Sequence, residues 1–556
     1  MEYFDLVGMF EKSVKSNWDC DALSDYKGIT LQYKDVARKI EKLHIMFEAA
    51  GIVPEDKIAL CGRNSANWAV AFMAAMTYGC VPVPILHEFK PDQVQNIVNH
   101  SEARLLFVGD VIAPKLDLDA MPTLEGAIHI PDYSLLLSKS EKLSYARENL
   151  NLLFGQKYPK FFRKEHVHYH PQPDGEKLAL INYTSGTTGK SKGAMIPYRA
   201  IWSNIYFGHE TLGHFLKPGQ NVVSMLPLAH MYGLVFEFLL EFSVGMHVNF
   251  LTRIPSPRII FQAFGELKPH LVIAVPLIIE KIIRKAVLPQ LQTSTMKMAL
   301  RVPMLSEQIY SKVRDKLYQA FGGNLYSVIV GGAAFNSEIE EFLKRIKFPF
   351  TVGFGTTETA PLAAYEDYHT WRAGSCGRAV PRMEARINSS NPQHEVGEIL
   401  FRGANVMLGY FKNPEATEQA IDKNGWYHTG DLGVMDADGF IYIRGRSKNM
   451  LLSSSGQNVY PEEVEDKFNT LPFVAECVMI QKGEKFHMLV YPDFDAAAKE
   501  GLDRFALQQK MEENRKFLNT VVNPYEQIVS VKIMEQEFEK TPKRSIKRYL
   551  YADAEV

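Results

Sequence analysis

Three features of this 556-residue chain predict an α/β protein: a large N-terminal domain of α/β subdomains, a small antiparallel β subdomain and a small α+β C-terminal domain. Short apolar runs alternate with helical patterns of about 10–15 residues, the rhythm of parallel strands joined by crossover helices. Beyond residue 380 that rhythm gives way to short strands broken by turn residues. After Arg446 a fresh pattern of helix start, paired strands and helix begins. The expected boundaries are 1–446 for the N-terminal domain, its β subdomain over about 380–446, and 447–556 for the C-terminal domain. At about 150 residues per domain the length would allow about four units, though large α/β domains stretch that figure.

In chain order, ITLQYKDVARKIEKLHIMFEAAG (29–51) reads as a short strand and an amphipathic helix stopped by Gly51. KIALCG (57–62) is a strand, WAVAFMAAMTYGC (68–80) a largely buried helix, VPVPIL (81–86) an extended run with two prolines, and RLLFVG (104–109) another strand of the same parallel sheet. The polar stretch 139–176 has few strand signals and bridges two halves. KLALIN (177–182) resumes the rhythm, AMIPYRAIWSNIYF (194–207) reads as a helix, and LVIAVP (271–276) and YSVIVGG (326–332) as strands. MEARI, EVGEILFRG and WYHTGDLGVMDADGFIYIRGR form the antiparallel part, with Asp436-Ala437-Asp438-Gly439 as a hairpin turn. In the tail, Pro461 followed by Glu462 and Glu463 suits a helix's first turn, CVMI and HMLVYP are strands, and 502–520 is a helix.

Composition excludes several classes. With 46% hydrophobic and 23% charged residues the chain is globular, and 62 Lys+Arg against 64 Asp+Glu give a charge of −2. That balance offers no global field for nucleic acid, so no nucleic-acid partner is expected. No apolar run is long enough to span a membrane, since Met225–Leu251 is interrupted by His230, Glu237 and Glu241. The N-terminal residues lack the pattern of a secretory signal. Five scattered cysteines without a CxxC suggest neither disulfide framework nor zinc knuckle, and the expected compartment is a reducing cytoplasm.

The densest chemical signal is Tyr183-Thr-Ser-Gly-Thr-Thr-Gly-Lys-Ser-Lys-Gly193. Glycines allow tight turns, successive N–H groups and hydroxyls can cradle phosphate oxygens, and Lys190 and Lys192 can neutralise charge on a leaving polyphosphate. A Walker A reading fails, because the glycine it needs would stand at Thr184. In Gly353-Phe-Gly-Thr-Thr-Glu358, Phe354 can stack on a nucleobase, Thr357 can bond a phosphate and Glu358 is a hard ligand for Mg²⁺; a helix cap is the plain alternative. Asp431 can accept bonds from ribose hydroxyls or merely shape a turn. Gly331-Gly-Ala-Ala334 permits close approach of backbone to an adenine face or a tight turn, and His230 in its apolar run is either a core residue or a ligand contact.

These motifs together resemble the adenylate-forming superfamily of acyl-CoA synthetases, firefly luciferase and nonribosomal adenylation domains. YTSGTTGKSKG resembles its phosphate loop, with Ser191 where many members have proline. Asn64–Trp68, Tyr78–Pro84, Pro227–Gly233, Gly331–Ala334, Gly353–Glu358, Trp426–Asp431 and Gly445-Arg446 follow in the family's order. The resemblance implies ATP or AMP contacts at Thr184, Ser185, Gly186, Thr187, Thr188, Gly189, Lys192, Gly332, Ala333, Ala334, Phe354, Gly355, Thr356, Thr357, Asp431 and Arg446. It implies substrate contacts at His230 and Gly332, Mg²⁺ at Glu358 and Thr184, a hinge at Lys448, and a CoA-side loop at Ser455 and Gly456. A C-terminal domain that rotates between half-reactions comes with it.

The family's C-terminal lysine falls in register with Ser545, flanked by Lys543 and Lys547. Either lysine substitutes after a local shift, or the cluster is a solvated basic tail, or adenylation is slowed by the loss of one charge stabiliser. Binding of nucleotide or acyl-adenylate with weak or lost turnover is the alternative function that Ser545 permits. Thr184, Glu358, Lys543 and Lys547 are therefore the candidate catalytic residues. PLAHMYGLVFEF lacks the aspartate with which amino-acid-activating relatives hold an ammonium group, so a fatty acid is the expected substrate, with an aryl acid as the alternative. No GGxS carrier motif follows the tail, which makes free CoA the expected thiol. Luciferase-like oxygenation has no marker here. Peripheral membrane contact and a homodimer are further expectations.

Overall fold

The computed structural model describes residues 5–184, 191–252, 256–291, 293–453, 457–540 and 546–556. The first sheet orders Val81–Ile85, Lys57–Cys61, Leu105–Val108, Gly126–His129 and Leu135–Ser138, the first four parallel and the last antiparallel. Pro82 and Pro84 lie on the edge strand of this sheet, where a missing N–H leaves no central ladder bond unmade. Ala66–Tyr78 is buried along its whole length, capped by Ser65 and ended by Gly79 at φ +88°. The helix Tyr33–Ala50 ends at left-handed Gly51, where the sequence places its stop.

The strand Thr30–Gln32 differs from its sequence reading. It pairs antiparallel with Asp21–Asp25 in a separate sheet completed by His247–Phe250 and Asn221–Ser224. A three-residue strand carries too little pattern to choose between two sheets. A second correction concerns 194–197. Lys192–Pro197 is a strand, hairpinned to Leu178–Thr184 and paired on its other side with Gly409–Tyr410, and the helix is Tyr198–Leu212. Backbone bonding to both neighbours holds this segment extended, and one neighbour comes from more than 200 residues downstream. Local periodicity cannot register such a partner.

Beyond the hairpin, Leu271–Ala274, Ser327–Val330 and Phe350–Val352 form a parallel sheet. The antiparallel sheet runs Met383–Asn388, Gly397–Gly403, Tyr427–Met435 and Ile441–Arg446 in consecutive order. The Asp436–Gly439 turn closes its last hairpin, with Gly439 at φ +86°. Past it, the hairpin Val474–Lys482/Lys485–Pro492 and the strand Ile528–Ile533 pack with helices Pro461–Asn469 and Arg504–Val521 around their own core of Val464, Phe468, Met488, Met511 and Leu518. Among the described residues, no helix is long and apolar enough to cross a membrane.

One buried side chain ties the hairpin helix to the glycine-rich segment at 353–359. Asn204 Nδ2 donates to Ala200 O (2.8 Å) and Thr359 O (3.3 Å), while its Oδ1 accepts from Leu362 N (3.0 Å). Asn204→Ala strands these partners in the interior. Such losses cost about 2–3 kcal/mol, which urea unfolding at neutral pH will read as a lower midpoint at unchanged slope.

Candidate active site

The parallel strands Ser327–Val330 and Phe350–Val352 run directly into Gly331–Ala334 and Gly353–Glu358, so both motifs sit at carboxyl ends of strands, where open α/β sheets bind ligands. Gly332 has φ +88°, and it is exposed together with Ala333 and Ala334. At Gly355 a Cβ would meet Pro361 O at 2.0 Å, so only glycine fits. Thr356 caps the short turn Thr357–Thr359 through reciprocal bonds with Thr359. Glu358 is free of that capping duty. Thr357 Oγ1 is buried and has no hydrogen-bond partner among the described residues, an orphan acceptor and donor at the cleft wall. Phe354 is half-buried and stacks on Phe401 at 5.9 Å, leaving one ring face to serve the cleft.

The hairpin supplies the facing wall. Thr184 ends one strand and is paired with Lys192 at the start of the next. The Lys192 ammonium lies 5.1 Å from the centre of the Tyr410 ring, and the Tyr410 hydroxyl donates to Glu358 Oε1 at 2.8 Å. Burial and the adjacent carboxylate push the Tyr410 phenol well up, so it remains a donor and Glu358 the acceptor. Ser185, Gly186, Thr187, Thr188, Gly189 and Lys190 lie outside the described residues.

Asp431 and Arg446 are cross-strand partners in the last hairpin of the antiparallel sheet. Their charges meet at 2.8 Å between Arg446 Nε and Asp431 Oδ1. Burial raises the Asp431 pKa to about 6, against the opposing pull of Arg446 and Lys448. Lys448 sits in the turn Ser447–Asn449 that leaves this strand. The neighbouring Asn449 donates to Glu462 Oε1 at 2.6 Å, on the tail helix Pro461–Asn469.

From the tail, Lys547 enters the same cleft, its Nζ 3.1 Å from Glu539 Oε2. Arg548, which also lines the cleft, is paired with Glu465, with Glu462 3.9 Å away. Burial pushes Glu465 up to about 7 despite that partner. Lys543, Ser545, Ser455 and Gly456 lie outside the described residues.

The cleft that collects these groups has a volume of about 2400 Å³. Every described residue of the expected set lines it: Thr184, Lys192, His230, Gly332 to Ala334, Phe354 to Glu358, Asp431, Arg446, Lys448 and Lys547. Part of its lining is apolar, and Met225, Leu226, Tyr232, Leu251, Ile260 and Ile278 make up this apolar arm. Tyr232 spans that arm, donating to Ile329 O at 3.0 Å and passing 3.3 Å from where a Cβ on Gly331 would stand. His230 is half-buried at the start of the helix Met231–Leu234.

Fold and cleft are those of the adenylate-forming class of α/β enzymes. The chain belongs to the AMP-binding enzyme family, which it matches over residues 10–411. It is 28% identical over 539 residues to a long-chain-fatty-acid–CoA ligase of Escherichia coli O6:H1, covering 91% of this chain and 89% of that protein. The crystal structure of the anthranilate CoA ligase AuaEII with anthranoyl-AMP superposes with a TM-score of 0.77 at 20% identity, over 99% of this chain and 97% of that one. O-succinylbenzoate coenzyme A synthetase from Bacillus subtilis, with ATP and magnesium ion, gives a TM-score of 0.73 at 19% identity, over 98% and 99% of the two chains. At such identities these two structures speak for the fold alone.

Several residues that build the cleft escaped sequence reading. Tyr410 sits in an unremarkable MLGYF run, and only its pairing with Ala194 brings it to Glu358. Arg548 was legible only as one more charge of a basic cluster. Tyr232 lay inside a quoted motif, but its bond to Ile329 O needs the third dimension.

The Asp431 shift has a definite sign. A folded pKa near 6 against 3.8 for the ordinary group means that the native state holds this proton more tightly. The stabilisation is complete below the unfolded pKa and is lost as pH rises through the folded one. Asp431→Asn has nothing to titrate, so the melting-temperature difference, variant minus wild type, is expected to become more positive between about pH 4 and pH 6. Parallel melting curves across that window would contradict the shift.

Proposed function

We propose that this protein activates a fatty carboxylic acid with ATP, releasing pyrophosphate to give an acyl-AMP, and then transfers the acyl group to CoA, releasing AMP. The single observation that carries this reading is the lining of the cleft: adenylate-type groups together with, between residues 225 and 278, a described lining without any acidic side chain. An ammonium-bearing substrate would find no counter-charge in that arm, whereas an alkyl chain finds aliphatic and aromatic walls. The similarity to a long-chain-fatty-acid–CoA ligase points the same way.

In the first step the carboxylate oxygen attacks the α-phosphorus and the bond to the pyrophosphate oxygen breaks. A carboxylate is already a competent nucleophile, so no general base is required, and positioning with charge neutralisation carries the rate. His230 and the Gly332 backbone orient the carboxylate. Phe354 and the 332–334 segment take the adenine, and Asp431 with Arg446 the ribose. Lys192 and the 185–189 loop meet the departing phosphates, and Lys547 approaches the reacting phosphate from the tail. In the second step the CoA sulfur attacks the acyl carbon and AMP leaves; this half uses the Ser455-Gly456 loop after a rotation about Lys448.

The residues present fit a magnesium ion. Among the described residues no cluster of three or more His, Cys, Asp or Glu could hold a metal. Glu358, fixed by Tyr410, and the Thr184 hydroxyl offer the sparse oxygen set that Mg²⁺ takes when phosphates complete its shell. When bound, the ion supplies charge neutralisation for the polyphosphate. A cytoplasmic setting, in which ATP and CoA are both at hand, completes this reading.

Exchange of labelled pyrophosphate into ATP across a panel of acids tests it. Fatty acids are expected to drive exchange, and amino acids are not; exchange with amino acids alone would sink the assignment. Glu358→Gln should lower exchange by about 10²–10³-fold with little change in melting temperature. Lys547→Ala should slow exchange by a similar factor and spare the reaction of synthetic acyl-AMP with CoA, which bypasses ATP. Should Lys547→Ala be silent and Ser545→Lys raise the rate, the catalytic register belongs to position 545 and this chain works without its usual lysine.

A further inference from the structure

We infer that the shoulder made by the helix Ser294–Ala299 and the first turn of Pro303–Ala320 docks on anionic lipid membranes. Within eight residues four large apolar side chains face solvent: Met298 at 69%, Val302 at 47%, Met304 at 75% and Leu305 at 45% exposure. Single exposed apolar residues are ordinary, but a contiguous group marks an interaction surface. The rest of the helix is anchored, since Leu317 is buried and Tyr310 and Val313 pack on the same core. The first turn is thus held outward by a fixed inner face.

Charge selects the partner. Residues 281–316 carry eight Lys and Arg against two Asp and Glu, a net charge of +6 in a chain whose total is −2. Arg301 is exposed within the apolar group, and Lys312 and Lys316 are exposed about two and three turns further along the same helix. Apolar side chains that enter the acyl boundary, ringed by cations that meet anionic headgroups, are the two signals a peripheral protein needs. A second copy of this chain would bring the same positive field against itself, which disfavours a self-complementary contact.

The position of the shoulder connects it to the proposed chemistry, and to that extent the inference rests on the fatty-acid reading. Helix Pro257–Leu267 lines the apolar arm through Pro257 and Ile260 and packs on both Pro276–Ile282 and Pro303–Ala320. Leu277, Ile278 and Lys281 of Pro276–Ile282 line the same arm, and the helical run continues from there toward Ser294–Ala299. Long-chain acids reside in bilayers. A shoulder that rests on a bilayer therefore sets the arm's outer layer against the store of substrate.

Flotation of the full chain with phosphatidylcholine vesicles, with and without phosphatidylglycerol, tests this without any substrate. Binding is expected to the mixed vesicles, to weaken with salt, and to fall by about tenfold or more in the triple variant Met298→Ser/Met304→Ser/Leu305→Ser and in Arg301→Glu/Lys312→Glu. All five positions are exposed and outside the cleft, so pyrophosphate exchange with a detergent-dispersed acid and the melting temperature should stay at wild-type values. No binding, equal binding to neutral vesicles, or variants that float like wild type would overturn the proposal. A concentration-dependent dimer by light scattering that the triple variant abolishes would overturn it in favour of a second copy. Patch-dependent vesicle binding without fatty-acid-driven exchange would leave the membrane surface standing and remove only the substrate reading.

Discussion

The bond from the Tyr410 hydroxyl to Glu358 is the contact on which the cleft depends. Tyr410 belongs to a two-residue strand that pairs with the hairpin strand Lys192–Pro197, and its own N–H is taken by Thr417 Oγ1 at 2.8 Å. Glu358 belongs to a turn held from behind by Asn204. One phenol therefore joins the hairpin strand at 192–197, the glycine-rich turn and the segment between the second and third strands of the antiparallel sheet. Lys192 lies over the same ring, so the cation and the carboxylate of the site are referenced to a single rigid group. Breaking a buried bond of this kind leaves an unsatisfied donor or acceptor, and the cost falls on the geometry of both walls.

The junction between the large region and the tail is made of a different material. Asp466 accepts from Asn336 Nδ2 (3.1 Å) and Ser337 Oγ (2.6 Å) at the start of the helix Ser337–Arg345, and Arg444 reaches Glu463 at 3.3 Å. These are polar, partly solvated contacts, which water can replace at small net cost. The tail's apolar residues turn inward to their own core. The proposed rotation about Lys448 would thus part the two bodies without exposing large apolar surface. Arg548, beside Lys547, is paired with Glu465 of the tail helix, so this contact lies within the tail.

Much of the architecture was legible because its signals are local. Gly51 ends a helix in the left-handed region, Pro461 begins one, and the Asp436–Gly439 turn closes a hairpin, each for reasons held within a few residues. The candidate site was legible for another reason: its motifs lie at strand ends, so that their spacing and order survive into space. What could not be read depends on distant partners. The strand at 192–197 needs Tyr410, the sheet that takes up the short strand at 30–32 needs His247–Phe250, and Arg548 needs the acidic face of Pro461–Asn469. No window of sequence contains both halves of such a contact.

The apolar arm raises a final physical question, since a buried glutamate lies directly behind it. Glu237 is fully buried on the π-helical segment Val235–Leu239, and its Oε2 accepts from Met225 N (3.0 Å), Leu226 N (2.8 Å) and Ser224 Oγ (3.2 Å). Those N–H groups follow the strand Asn221–Ser224 at the point where the chain leaves the sheet and forfeits its ladder partners. Glu237 supplies the missing acceptor, and in doing so fixes the residues that lead into His230. Burial drives its pKa well up, with the carboxylate of Glu241 one turn on adding to the effect. The charge is thereby kept low where an alkyl chain would pass, while the hydrogen bonds that set the wall are retained. An apolar arm in this protein is held in shape by a polar group placed behind it, out of reach of its contents.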